Sequence, residues 1–124
     1  MIKRSDFYQL LADVLGAIPV HPDYIPATAT LPAVSYLHIT SQLGERPIDG
    51  GLDLRGDSWQ VEVLASTRDE VDQIIGKIEA LDNTKSSVFQ RIVVLSQRDD
   101  PAAPDINYRR SFIDLSTTNR SANS

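Results

Sequence analysis

The chain contains no cysteine. That removes disulfide staples, thiolate nucleophiles and every cysteine-ligated zinc site. Histidine is nearly as scarce, with His21 and His38 the only two. They form no His-x-x-x-His or His-Glu ligand spacing, so both read as structural or surface residues rather than metal ligands. No stretch approaches the roughly 20 apolar residues that a membrane-spanning helix needs. The basic start, Lys3-Arg4, leads into an amphipathic segment interrupted by Asp6 and Asp13. A secretion signal has an unbroken apolar run instead, so none is expected. Glycine signatures are missing too: there is no Gly-x-Gly-x-x-Gly, no phosphate loop and no Gly-x-Ser-x-Gly nucleophile elbow. Gly50-Gly51 precedes a strand pattern, whereas a phosphate cradle precedes a helix.

What is present describes one small domain. A chain of 124 residues buries about two thirds of its unfolded surface. Hydrophobic residues at 41% and charged residues at 23% are ordinary for a globular protein. The net charge of −5 provides no general attraction for nucleic acid or anionic lipid. The arginines at 46, 55, 91, 98, 109 and 110 are scattered. Adjacent Arg109 and Arg110 point to opposite faces of a strand, so they make no nucleic-acid stripe.

Periodicity places the elements. After Ser5 as N-cap, Phe7, Leu10, Leu11, Val14 and Leu15 predict a helix over 6–15 with Gly16 as its stop. Four prolines between 19 and 32 predict an extended connector with a short edge segment at 23–25. AVSYLHITS, Ala33–Ser41, is a strand with apolar groups on both faces. QLGERPIDGG, 42–51, is turn chemistry. Leu52–Ala65 is a long strand, alternating from Asp57, with Trp59, Val61, Val63 and Ala65 on the buried face. Thr67 and Glu70 form a capping box ahead of the stripe Val71, Ile74, Ile75, Ile78 and Leu81, a helix ending near Asp82-Asn83. Two further strands are predicted at 88–97 and 108–117, separated by a loop from Arg98 to Asp105. Residues 1–117 form a single α+β domain, and 118–124 are expected to be a disordered tail. The order α-β-β-α-β-β predicts a mostly antiparallel four-stranded sheet with two helices packed on one face.

The catalytic inventory is empty. Asp99, Asp100 and Asp105 lack the spacing and turn glycine of a calcium loop. Asp57 and Glu62 lie on opposite strand faces and cannot converge as a general acid and base. Trp59 is a core anchor. The tripeptide Arg55-Gly56-Asp57 is an adhesion signal only at an exposed loop tip, and here strand alternation begins beside it. It reads as the hinge of a glycine-rich arm, with Arg55 and Asp57 on the same side and able to pair with each other or with a neighbour. Two polar segments, about 42–57 and 98–107, look like extended arms of the kind that make subunit contacts. The candidate contact residues are Arg46, Asp49, Arg55, Asp57, Arg98, Asp99 and Asp100. Charge reversal at Arg55 is expected to weaken such contacts.

The order of these pieces resembles the small tail completion or tail terminator proteins of long-tailed bacteriophages and prophages. The likeness lies in the amphipathic first helix and in the proline connector into LPAVSYLHIT. It continues through the glycine-rich loop, WQVEVLASTRDEVDQIIGKIEAL and the closing strand YRRSFIDLS, covering about residues 5–117. The resemblance implies a non-catalytic protein without a cofactor, assembling as a ring, commonly hexameric, at the head-proximal end of the tail tube. It would stop tube polymerisation and join tail to head. Its partners would be copies of itself, the tail tube protein and head–tail connector proteins. DNA would pass through the lumen without specific binding, and no membrane is involved. Assembly would occur in the bacterial host cytoplasm, and the final location would be the virion tail. A head–tail connector or stopper ring is the near alternative; a small cytosolic enzyme or an Arg-Gly-Asp adhesion module are the distant ones.

Overall fold

A computed structural model describes residues 4–43, 54–86, 88–100 and 107–120. The elements run α1 (Arg4–Leu15), β1 (Val20–Pro22), β2 (Ala33–Leu43), β3 (Leu54–Ala65), α2 (Arg68–Glu79), β4 (Arg91–Asp100) and β5 (Arg109–Arg120). The sheet order is β1-β2-β3-β5-β4.

The α+β class and the two helices on one face agree with the sequence pattern, but the sheet is five-stranded and mixed. The additional strand is β1, which pairs in parallel with β2 through Val20↔Val34 and Pro22↔Tyr36. It lies just before the expected edge segment at 23–25. Three residues are too few to show alternation, and Pro22 is tolerated because an edge strand is paired on one side alone. The remaining pairs are antiparallel. β5 inserts between β3 and β4, so the last two strands do not simply extend the sheet outward.

Helix α2 forms as its sequence dictates. Thr67 is extended, and its side chain accepts from the Glu70 N–H at 3.2 Å. The Glu70 carboxylate accepts in turn from the Ser66 N–H at 3.4 Å, so backbone donors at the helix start are satisfied. Val71, Ile74, Ile75 and Ile78 are its buried face. Helix α1 starts at Arg4, one residue before its expected cap, so Ser5 sits inside the first turn. Gly16 ends it at φ +65°, a conformation that costs glycine nothing and other residues energy.

The core lies between the helices and one face of the sheet. Phe7, Leu11 and Leu15 of α1 and the stripe of α2 meet Val34 and Tyr36 of β2, Trp59, Val61 and Val63 of β3, and Ile113 and Leu115 of β5. Trp59 is at its centre, stacked on Phe7 with ring centroids 4.2 Å apart and planes within 1°. The start of β2 is buried on both faces, with Ala33, Val34, Ser35 and Tyr36 all covered.

Strand boundaries depart from the sequence pattern in one direction. β4 begins at Arg91 and continues through Asp100, where a loop was expected from Arg98. β5 reaches Arg120, so Thr118–Arg120 are in strand and not in a disordered tail. Each is held by pairing: Asp100 faces Arg110 across β5, and Arg120 faces Leu54 across β3. Polar residues carry no apolar period, but a neighbouring ladder supplies their backbone hydrogen bonds. Of the expected arms, about 42–57 and 98–107, residues 44–53 and 101–106 lie outside the described residues, as does the end of the tail, 121–124, while 42–43, 54–57 and 98–100 are in strands.

Because Trp59 is buried, ring-stacked and hydrogen-bonded, Trp59→Ala should cost about 3–5 kcal/mol of unfolding free energy in a urea titration. A cost below about 1 kcal/mol would contradict this account of the core.

Candidate assembly surfaces

Alternation along β3 sends Asp57, Trp59, Val61 and Val63 to the helix-covered face. Asp57 is therefore buried, at 1% exposure. In the ladder it lies opposite Ser41 on β2 and Thr117 on β5. His38, which lies opposite Trp59 on β2, donates from Nε2 to Asp57 Oδ1 at 2.8 Å. The His38 ring stands edge-on to Trp59, 4.7 Å away. The Trp59 Nε1–H donates to Thr117 Oγ1 at 2.9 Å. These contacts close the polar end of the core and satisfy groups that would be costly to bury alone.

This geometry settles the position of Arg55-Gly56-Asp57. The tripeptide is inside a central strand, paired on one side to Ser41–Leu43 and on the other to Thr117–Asn119. Asp57 engages His38, and its carboxylate is not presented to a receptor. Of the other candidate contacts, Arg46 and Asp49 lie outside the described residues. Arg55 is placed in β3 between Leu43 and Asn119.

Arg98, Asp99 and Asp100 divide between the two faces because they are consecutive on a strand. Asp99 turns to the helix side. It accepts from Arg68 Nη1 at 3.2 Å, from Ser111 Oγ at 2.6 Å and from Gln97 Nε2 at 2.7 Å. The hydrogen bond from Ser111, then that from Gln97, holds its carboxyl below the ordinary carboxylate value. Arg68 also donates to Ser111 at 2.8 Å, so this cluster ties the start of α2 to the ends of β4 and β5.

Arg98 and Asp100 face the open side. Arg98 donates to Asp114 at 2.9 Å. Asp100 accepts from Arg110, whose Nη1 also reaches Glu62 at 3.4 Å. Both guanidiniums lie over the Phe112 ring, at 4.9 and 5.5 Å. Exposed pairs of this type contribute about 0–1 kcal/mol each. Their effect is to order the face and offset most of its charge, two arginines standing against three carboxylates. The three residues expected to reach a partner are thus engaged within the chain.

The sequence pattern missed a different surface. β2 has a register shift between His38 and Thr40, and β4 has one between Val94 and Ser96. The residues at these shifts, Ile39 and Leu95, are exposed. With Ser58, Gln60 and Asp114 they line an open concavity of about 320 Å³ on the uncovered face of the sheet. The signal was in the letters, since YLHIT and VVLSQ are apolar at consecutive positions, so each supplies both faces. Among the described residues, no group of three or more His, Cys, Asp or Glu is placed to hold a metal ion.

No family model matches this sequence, and no curated protein matches it. Solved structures do. The chain is similar to one in the "Virion of native gene transfer agent (GTA) particle", with a TM-score of 0.57 at 12% identity. That match covers 90% of this chain and 85% of the other. A second solved chain, whose name states no function, matches with a TM-score of 0.58 at 16% identity, over 95% of this chain and 92% of its own. At these identities the likeness is one of fold.

Two outcomes check the site geometry. Asp57→Ala should destabilise by about 1–3 kcal/mol, because it leaves the His38 donor without this acceptor; a residue in a surface tripeptide would cost within about 0.5 kcal/mol. For Asp99, the folded-state carboxyl is depressed, so its stabilisation is present above the ordinary value of 3.8 and lost as pH falls through the lowered one. The urea midpoint of wild type should exceed that of Asp99→Asn at neutral pH, and the gap should close as pH drops below 3.8.

Proposed function

We propose that this chain is a virion assembly protein of the bacteriophage type. Within that class it is a tail completion or terminator protein. In this reading it forms a ring at the head-proximal end of the tail tube, halts tube polymerisation and joins tail to head. It acts by contact, not by catalysis. The observation that carries the reading is the fold shared over nine tenths of the chain with a chain of a gene transfer agent virion. The order of elements from α1 to β5, which resembles the tail terminator proteins, supports the narrower role. The net charge of −5 is compatible with a lumen that lets DNA pass, since like charge prevents gripping.

Light scattering and electron microscopy of the purified protein test this, together with co-sedimentation on tail tubes. Rings that cap tube ends are expected. A strict monomer at every concentration that leaves tubes unbound would sink the reading. Rings that bind the head connector and ignore tubes would move the protein to the connector class.

A further inference from the structure

We propose that the open face of the sheet, between the two bulges, is where a second copy of this chain seats. The inference rests on the self-assembly reading above and specifies its contact surface.

The sheet has two faces, and α1 and α2 already cover one. The helices that form that outer surface are acidic. α1 carries one basic and two acidic residues, and α2 two basic and four acidic. Two copies of a chain of net charge −5 meet there against like-charge repulsion. On the open face Arg98 and Arg110 pair with Asp114, Asp100 and Glu62, two cations against three carboxylates, so these groups leave −1 where the two helices together carry −3. A copy with the same net charge meets less repulsion at that face than at the helices. Nucleic acid gains nothing from it, because these arginines already face carboxylates.

The same face carries exposed apolar side chains. Leu37, Ile39 and Leu95 are 38%, 50% and 57% exposed. A β-bulge re-aims a side chain, and the register shifts of β2 and β4 direct Ile39 and Leu95 to the walls of the concavity. The rest of its lining is Ser58, Trp59, Gln60, Asp114 and Leu115. An antiparallel sheet with one face in water needs only polar residues there. A lining of mixed apolar and polar groups, beside charges that are mostly paired, matches the composition of a protein–protein contact.

The test uses Ile39→Glu and Leu95→Glu, with Tyr24→Glu as control, since Tyr24 is 71% exposed outside the concavity. All three side chains already meet water, so urea midpoints should stay at the wild-type value. Light scattering should show the assembly constant weakened at least about tenfold in the first two and unchanged in the third. The chain has no cysteine, so a spin label on Ile39→Cys reports one site, and its mobility should fall as wild-type assembly proceeds. Assembly unaffected by both glutamates, with a label that stays mobile, overturns this surface and leaves the ring reading standing. A wild-type protein that is monomeric throughout overturns both. A label immobilised only when tail tube protein is added assigns the face to another occupant and overturns the inference.

Discussion

The fold depends on one ring stack. Phe7 of α1 lies flat on Trp59 of β3 at 4.2 Å, so the first helix is fastened to the middle strand of the sheet across more than fifty residues of chain. Phe7 also meets Tyr36 at 5.8 Å and Phe89 edge-on at 6.4 Å, which draws β2 and the approach to β4 to the same point. Trp59 suits this position because it is apolar over most of its surface and polar at Nε1. Its rings fill the core, and its N–H reaches Thr117, where the core gives way to Asp57 and His38. A phenylalanine there would fill much of the space and leave Thr117 without that donor.

From this anchor the period of two along each strand sorts chemistry onto two faces. The residues in phase with Trp59 are dry and hold the helices. The residues out of phase carry Glu62, Arg110, Asp114, Arg98 and Asp100, arranged as mutual pairs. An acidic protein thereby acquires one broad surface on which charge is mostly paired, and two bulges set apolar side chains into it.

The parts legible in the sequence were those whose information is local. The Thr67–Glu70 box and the stripe from Val71 to Ile78 located α2, and the alternation from Asp57 to Ala65 located the buried face of β3. Opposite placement of Asp57 and Glu62 followed from their odd spacing. The illegible parts depend on a partner strand. Val20–Pro22 is a strand only because Val34–Tyr36 lies beside it. Arg98–Asp100 and Thr118–Arg120 have polar letters and extend because β5 and β3 hold them. The candidate contacts Arg98, Asp99 and Asp100 looked like a polar arm because nothing nearby in sequence shows Asp114, Ser111 or Arg110 waiting across the ladder.

LRGDSW carries both lessons. The sequence alone determined that Trp59 faces a core, that Asp57 shares its side and that Ser58 does not, because side-chain direction along a strand is a local property. It did not determine that Arg55-Gly56-Asp57 is flanked on both sides, or that Asp57 meets His38 nineteen residues away. Those outcomes required β2 to pair on one side of β3 and β5 to enter on the other, between β3 and β4, and strand order is a decision of the whole chain. Burial of a carboxylate is likewise decided only when its distant partners arrive, since the cost of removing it from water is offset by them alone.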